Sequence, residues 1–154
     1  MAVIVGVVCV AVLAAAFLLK RARDRALLEK HSITAEDLHS VLASRQDVSV
    51  FDVRLPLDLL SNSVIIPGAK RLAPEEVIDN PSLIPTDRDA IVYCTCPSDE
   101  TSRAILHKAL SLGHVRIKFL KGGLNGWKSL GYPVEPYDQP FHLSTGKRNG
   151  AVAR

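Results

Sequence analysis

The chain has 154 residues, an apolar fraction of 47% and a formal net charge of +3, enough for one domain of ordinary size. Its three cysteines are too few for a disulfide-stapled secreted scaffold. No basic patch with interleaved aromatic residues points to nucleic acid.

The first predicted element is apolar. Residues Ala2 to Leu19 carry no charged or strongly polar side chain. As a helix they would span about 27 Å, close to a bilayer core of about 30 Å. No face is polar enough for solvent, which argues against a buried core helix. Lys20, Arg21, Arg23 and Arg25 follow at once, within a stretch from Lys20 to Lys30 that holds five basic and two acidic residues. The positive-inside rule then keeps the carboxyl side in the cytoplasm. The expectation is a single-pass anchor over 1–19 in the cell membrane, with its basic cluster at the lipid surface. A secretory signal peptide is the competing reading. Ala14-Ala15-Ala16 offers small residues for cleavage, but nothing basic precedes the run except the amino terminus. Cys9, inside the run, reads as a small apolar residue.

Residues 20–33 read as a charged helical extension or linker. A domain is expected over 34–136. It begins with Thr34-Ala35-Glu36-Asp37, where Thr34 is the N-cap and acids fill the first turn. Val48 to Val53 is a buried strand. Ser61 to Gly68 is a turn region, and Pro74 to Ile78 a short helix with Pro at its first position. Pro81 to Asp89 is loop. Ala90 to Tyr93 is a second strand, ending at Cys94. Thr101 to Leu112 is a helix stopped by Gly113, with Ala104, Ile105, Ala109 and Leu112 as its apolar face. Val115 to Leu120 is a third strand, broken by Gly122-Gly123. Leu124 to Leu130 is a short helix carrying Trp127, read as core. Residues 137–154 are expected to be a disordered polar tail. Strands alternating with helices imply parallel pairing and right-handed crossovers. Ligands in such sheets sit at the carboxyl ends of the strands.

One such end holds the chemistry. In Tyr93-Cys94-Thr95-Cys96-Pro97-Ser98-Asp99-Glu100-Thr101-Ser102-Arg103 a thiol leaves a strand and faces the amino end of a helix. The amides and dipole there favour a thiolate and can hold an anion beside it. Cys94 and Cys96 are the candidate nucleophiles. Counting from the strand favours Cys94; counting back from the helix end at Gly113 favours Cys96, which can otherwise resolve a Cys94 persulfide. Thr95, Ser98, Asp99, Glu100, Thr101 and Ser102 are the candidate substrate contacts, with Thr101 or Ser102 as alternative helix caps. Asp52 and Arg54 are expected to fix a strand end, and Gly122 and Gly123 to let the backbone approach the pocket. Five histidines, His31, His39, His107, His114 and His142, show no partnering pattern, and His107 is expected on the surface. No metal site is predicted, since a Cys-x-Cys pair lacks further ligands at suitable spacing. No cofactor is implied.

Four separated pieces resemble the rhodanese domain. They are Phe51-Asp52-Val53-Arg54, Ile66-Pro67-Gly68-Ala69, Val92-Tyr93-Cys94 with its loop, and Leu120-Lys121-Gly122-Gly123-Leu124 leading through Trp127 to Gly131-Tyr132-Pro133-Val134. Their order and spacing match that family from about Ile33 to Glu135. The resemblance implies an α/β fold, a five-stranded parallel sheet flanked by helices, here preceded by one transmembrane helix. It also implies a sulfurtransferase or persulfide carrier. A cysteine would take sulfane sulfur from a small donor or a protein persulfide and pass it to a thiol acceptor. The loop departs from the family's Cys-x-x-Gly-x-Arg-Ser. Pro97 stands near the Gly position, Asp99 and Glu100 stand where a cation is usual, and Ile65 replaces the His before Ile-Pro-Gly-Ala. An acidic rim would raise the thiol pKa and repel free thiosulfate. Other readings of the same residues are a phosphatase using Arg103, a Cys-x-Cys redox switch, and a catalytically inactive module that recruits a partner to the membrane.

Overall fold

The computed structural model describes residues 2–44, 46–95 and 99–139, with side chains from Val12 onward. Strands β1 (Ser32–Ile33), β2 (Val48–Asp52), β3 (Val64–Ile65), β4 (Lys70–Arg71), β5 (Asp89–Tyr93), β6 (Ile117–Leu120) and β7 (Glu135–Pro136) form two sheets. The larger has five strands in the order β1-β6-β5-β2-β4, and every pairing in it is parallel. β3 and β7 form a separate antiparallel pair. The expected α/β architecture is therefore present.

The pleat sorts the strand residues onto two faces, because successive side chains point opposite ways. Phe51, Val53, Ala90, Val92, Cys94, Ile117 and Phe119 belong to one buried cluster with Val77, Ile105, Leu106 and Ala109. Val50, Ile91, Tyr93 and Leu120 belong to the other, with Leu38, Leu124 and Trp127. Helices α4 (Pro74–Asp79) and α5 (Glu100–Ser111) cover the first face; α2 (Ala35–Ala43) and α6 (Gly123–Ser129) cover the second. Both faces being covered explains the continuous apolar runs in β2 and β5. Thr34 caps α2 as expected, accepting a hydrogen bond from the Asp37 N–H at 3.2 Å.

Several expectations need correction. Helix α3 (Pro56–Ser61) occupies a stretch assigned no element. It buries only Leu59 and leaves Leu57 and Leu60 exposed, so no apolar periodicity betrays it. The face of α5 is Ser102, Ile105, Leu106 and Ala109; Ala104 and Leu112 point to solvent. Of the two readings of 20–33, the helical extension holds as far as Lys30. Helix α1 (Ala2–Lys30) runs through the basic cluster, Leu28 packs against the first cluster, and Ser32–Ile33 joins the sheet beside β6. His31 has a partner after all: it is buried, with Nδ1 3.0 Å from the Ile117 carbonyl.

Among the described residues no helix is long and apolar enough to cross a membrane. Side chains are described only from Val12, and the first charge follows at Lys20. Residues 1–11 of the expected anchor lie outside the described side chains. The expected tail over 137–154 begins with described residues, since the Tyr137 N–H donates to the Ser63 carbonyl at 2.9 Å; residues 140–154, His142 included, lie outside them.

Candidate active site

β5 fixes where the thiol loop starts. Val53 N–H donates to the Tyr93 carbonyl at 2.9 Å, which extends the β2–β5 ladder to the last strand residue. Cys94 comes next, and the pleat turns its side chain into the first core cluster, where it is fully buried. Cys96, Pro97 and Ser98 lie outside the described residues. Thr95 is half-buried.

Two helix amino ends close on this loop. Gly122 and Gly123 hold φ of +72° and +51° at the start of α6. Leu124 N–H donates to the Cys94 carbonyl at 3.0 Å. Gly123 lies so near that a Cβ built there would stand 1.9 Å from the same oxygen. Only glycine admits that approach, so Gly122-Gly123 is a contact forced by geometry. Across the loop, Asp99 is the N-cap of α5 and takes the left-handed conformation at φ 54°. Neither Thr101 nor Ser102 is the cap. Asp99 Oδ2 accepts from the Gly122 N–H at 3.1 Å and makes no bond to its own helix's amides. Asn125 Nδ2 donates to the Thr95 carbonyl at 3.4 Å. Asn125 escaped the sequence reading because nothing but its place after Gly-Gly marks it.

The electrostatics differ from the acidic rim expected. Glu100 is exposed, but Asp99 is buried and faces Gly122. Burial pushes the Asp99 carboxyl above the usual carboxylate range, against the opposing pull of the Gly122 N–H and the Arg103 charge. Arg103 lies within α5, its guanidinium 5.6 Å from the centre of the Phe119 ring, a cation–π distance. Ser102 Oγ and Asp99 Oδ1 are buried without a hydrogen-bond partner among the described residues.

Asp52 and Arg54 hold up the strand end rather than the loop. Both side chains are fully buried. Arg54 Nε donates to Asp52 Oδ1 and Oδ2 at 3.0 and 2.9 Å, and its terminal nitrogens donate to the Asn62 and Val64 carbonyls at 2.8 and 2.7 Å. Tyr93 O–H donates to Asp52 Oδ2 at 3.2 Å and accepts from the Ile66 N–H at 3.2 Å. Burial raises the Tyr93 hydroxyl far above its ordinary value, so it serves as a neutral donor. The pair thus ties β2 to β3 and to β5. Trp127 is core, with its indole N–H donating to the Pro133 carbonyl at 2.7 Å. His39 stacks on Tyr132 with ring centres 4.2 Å apart, and His107 is exposed.

Comparison with known proteins places this geometry. The family profile described as Rhodanese-like domain matches residues 34–130. A curated sulfurtransferase of Allochromatium vinosum is 31% identical over 104 residues, covering 68% of this chain and 94% of that protein. The rhodanese-like domain of an Anabaena sp. protein is 26% identical, covers 80% of this chain and 92% of its own, and superposes with a TM-score of 0.59. A rhodanese-related protein of Thermoplasma volcanium is 27% identical over 68% of this chain and 97% of its own, with a TM-score of 0.56.

Proposed function

Because this chain belongs to the rhodanese-like domain family, we propose that it is a membrane-anchored sulfurtransferase or persulfide carrier working through its loop cysteines. The observation that carries the proposal is the clamped loop. A thiol-bearing segment leaves β5 and is pinned by the start of α6 at both ends, at Cys94 through the Leu124 N–H and at Asp99 through the Gly122 N–H. Main-chain N–H groups at the start of α5, left uncapped by the Asp99 side chain, favour a thiolate and a bound anion. The thiolate attacks the outer sulfur of a donor, a new S–S bond forms, the donor's S–S bond breaks, and the persulfide waits for a thiol acceptor. Since the Cys94 side chain faces the core, Cys96 is the thiol assigned to first contact with the donor. Thr95, Glu100 and Thr101 line the approach in this reading; Glu100 supplies its exposed negative charge.

Incubation with thiosulfate, polysulfide, glutathione persulfide or a cysteine-desulfurase persulfide, followed by mass spectrometry, is expected to add one sulfur to the wild type. Cys96→Ser should abolish the gain. Cys94→Ser should keep it while losing about 1–2 kcal/mol of stability for a hydroxyl placed in an apolar core. No gain from any donor would leave the recruiting-module reading in its place.

The anchor belongs to the same proposal. Val12, Leu13, Phe17, Leu18 and Leu19 expose apolar surface on α1, and the sequence carries the apolar run back to Ala2. Lys20, Arg21, Arg23 and Arg25 would then lie at anionic headgroups on the cytoplasmic side. In cells, the full chain should sediment with membranes and resist alkaline carbonate, whereas a chain lacking residues 1–19 should be soluble. Release of the full chain by salt alone would reduce the anchor to a surface attachment.

A further inference from the structure

A cleft of about 560 Å³ runs beside β4, a volume in the range of small-molecule sites. β4 is the outermost strand of the larger sheet, and the segment 135–139 forms the facing wall. Contacts within the domain hold both walls. β3 pairs with β7, the Tyr137 N–H donates to the Ser63 carbonyl at 2.9 Å, and Glu135 Oε1 accepts from the Gly68 N–H at 3.1 Å. Ile65, Ala69 and Ala73 supply the apolar part of the lining.

Arg71 is the group that calls for a ligand. It is half-buried in the cleft wall. Its Nη1 donates to the Asp52 carbonyl at 3.1 Å and to the Leu72 carbonyl. Those bonds hold the guanidinium at the carboxyl ends of β2 and β4, the edge where parallel sheets bind ligands. Nε and Nη2 have no partner among the described residues. These two nitrogens form the side of a guanidinium that matches a carboxylate through two parallel bonds. Burial pulls the Arg71 pKa below its ordinary value, so an anion alongside would offset the cost of the charge.

The same cleft carries carboxylates, at Glu76, Glu135 and Asp138. Glu76 Oε2 accepts from the Ala73 N–H at 3.3 Å, and Asp138 Oδ1 from the Gln139 amide at 3.3 Å. None of the three bonds Arg71, and each keeps one oxygen without a partner among the described residues. Lys70 is exposed beside them. Two cations therefore stand against three carboxylates. A purely anionic ligand would meet repulsion on this lining, and a purely cationic one would meet Arg71. A ligand bearing both charges satisfies both walls.

We propose that the cleft beside β4 binds a small zwitterion, an amino acid or short peptide, with its carboxylate on Arg71 Nε and Nη2 and its ammonium among Glu76, Glu135 and Asp138. The site is complete without any residue of the thiol loop. Resting on the sulfurtransferase reading, it also names the donor class as the persulfide of an amino acid or short peptide. Arg71 pairs in register with Asp52, and Asp52 with Tyr93, the residue before Cys94. Neighbouring strands lie about 4.8 Å apart, so the Arg71 backbone stands about 10 Å from that strand end. Three extended residues span about 10 Å, and a tripeptide held at Arg71 covers the distance.

The probe is S-methylglutathione, which keeps the peptide's charges and cannot transfer sulfur. Calorimetric titration of the full chain in detergent should show saturable binding. Arg71→Met should weaken it about tenfold to a hundredfold, and Arg71→Lys, which keeps the charge without the fork, should fall between. In the wild type, esterifying the probe's carboxylates or acetylating its amine should each weaken binding about tenfold or more, a comparison that needs no variant to fold. Thiosulfate should not displace the probe. No saturable binding, equal binding of the masked probes, or displacement by thiosulfate would overturn the assignment. Sulfur loading tests the link to the chemistry. Arg71→Met should raise KM for glutathione persulfide more than KM for thiosulfate. Probe binding without loading from any donor would overturn the sulfurtransferase reading and leave the cleft assigned; loading without probe binding would do the reverse.

Discussion

An Arg54→Met variant is expected to lose about 3–5 kcal/mol of stability, because it strands a carboxylate in the interior. Asp52 has no exposed surface and takes its charge-assisted bonds from Arg54. Methionine fills similar space but donates nothing. Asp52 would keep only the Tyr93 hydroxyl and the Arg54-position backbone N–H, which donate at 3.2 and 3.0 Å. The carbonyls of Asn62 and Val64 would lose their guanidinium donors as well. Urea denaturation measures the loss. The double variant Asp52→Asn/Arg54→Met separates charge from packing. It removes the stranded charge, so it should be more stable than Arg54→Met alone. If the single and double variants lose the same amount, the cost comes from packing and the uncompensated-charge account fails. The effect should reach the thiol loop, because Asp52 pairs in register with Tyr93, the residue before Cys94.

This pair also shows what a sequence discloses and what it hides. Phe51-Asp52-Val53-Arg54 could be read as the end of a strand, because the apolar run stops there. Its partners could not, since the Asn62 and Val64 carbonyls and the Tyr93 hydroxyl meet it only in three dimensions. Strands β2, β5 and β6 and helices α2, α4, α5 and α6 are legible from runs, caps and spacing; β4, two residues long, is not. α3 was not, because one buried leucine in six residues leaves no period to detect. The strand β1 was read as linker, since two residues carry no alternation. The loop chemistry was legible as a thiol at a strand end. The burial of Cys94 follows from the same alternation that buries Ala90 and Val92. The sequence places Asp99 on an acidic rim as a candidate substrate contact, whereas the structure buries it against Gly122. Nothing local tells an acid at a helix start whether it caps its own helix or, as here, reaches across to another.

Gly123→Ala should be the most damaging single-methyl change in the domain. A β-carbon at this position would stand 1.9 Å from the Cys94 carbonyl oxygen and 2.9 Å from its carbon. Both are backbone atoms, so no side chain can swing aside. φ is also +51°, which disfavours any L side chain. Strain and steric displacement together should cost about 3 kcal/mol or more, read as a fall in the urea midpoint. Gly131→Ala is the matched control. Its φ is +71°, but a β-carbon there meets nothing within 4 Å. It should cost only about 1–2 kcal/mol, the backbone term alone. The two variants differ in sulfur loading for the same reason. To admit the methyl group, α6 must retreat from Cys94, which breaks the Leu124–Cys94 bond and carries Gly122 away from Asp99. Loading should therefore collapse in folded Gly123→Ala and persist in Gly131→Ala. Equal stability for the two variants would mean that α6 does not press on the strand end, and the clamp that orients the thiol loop would have no physical basis.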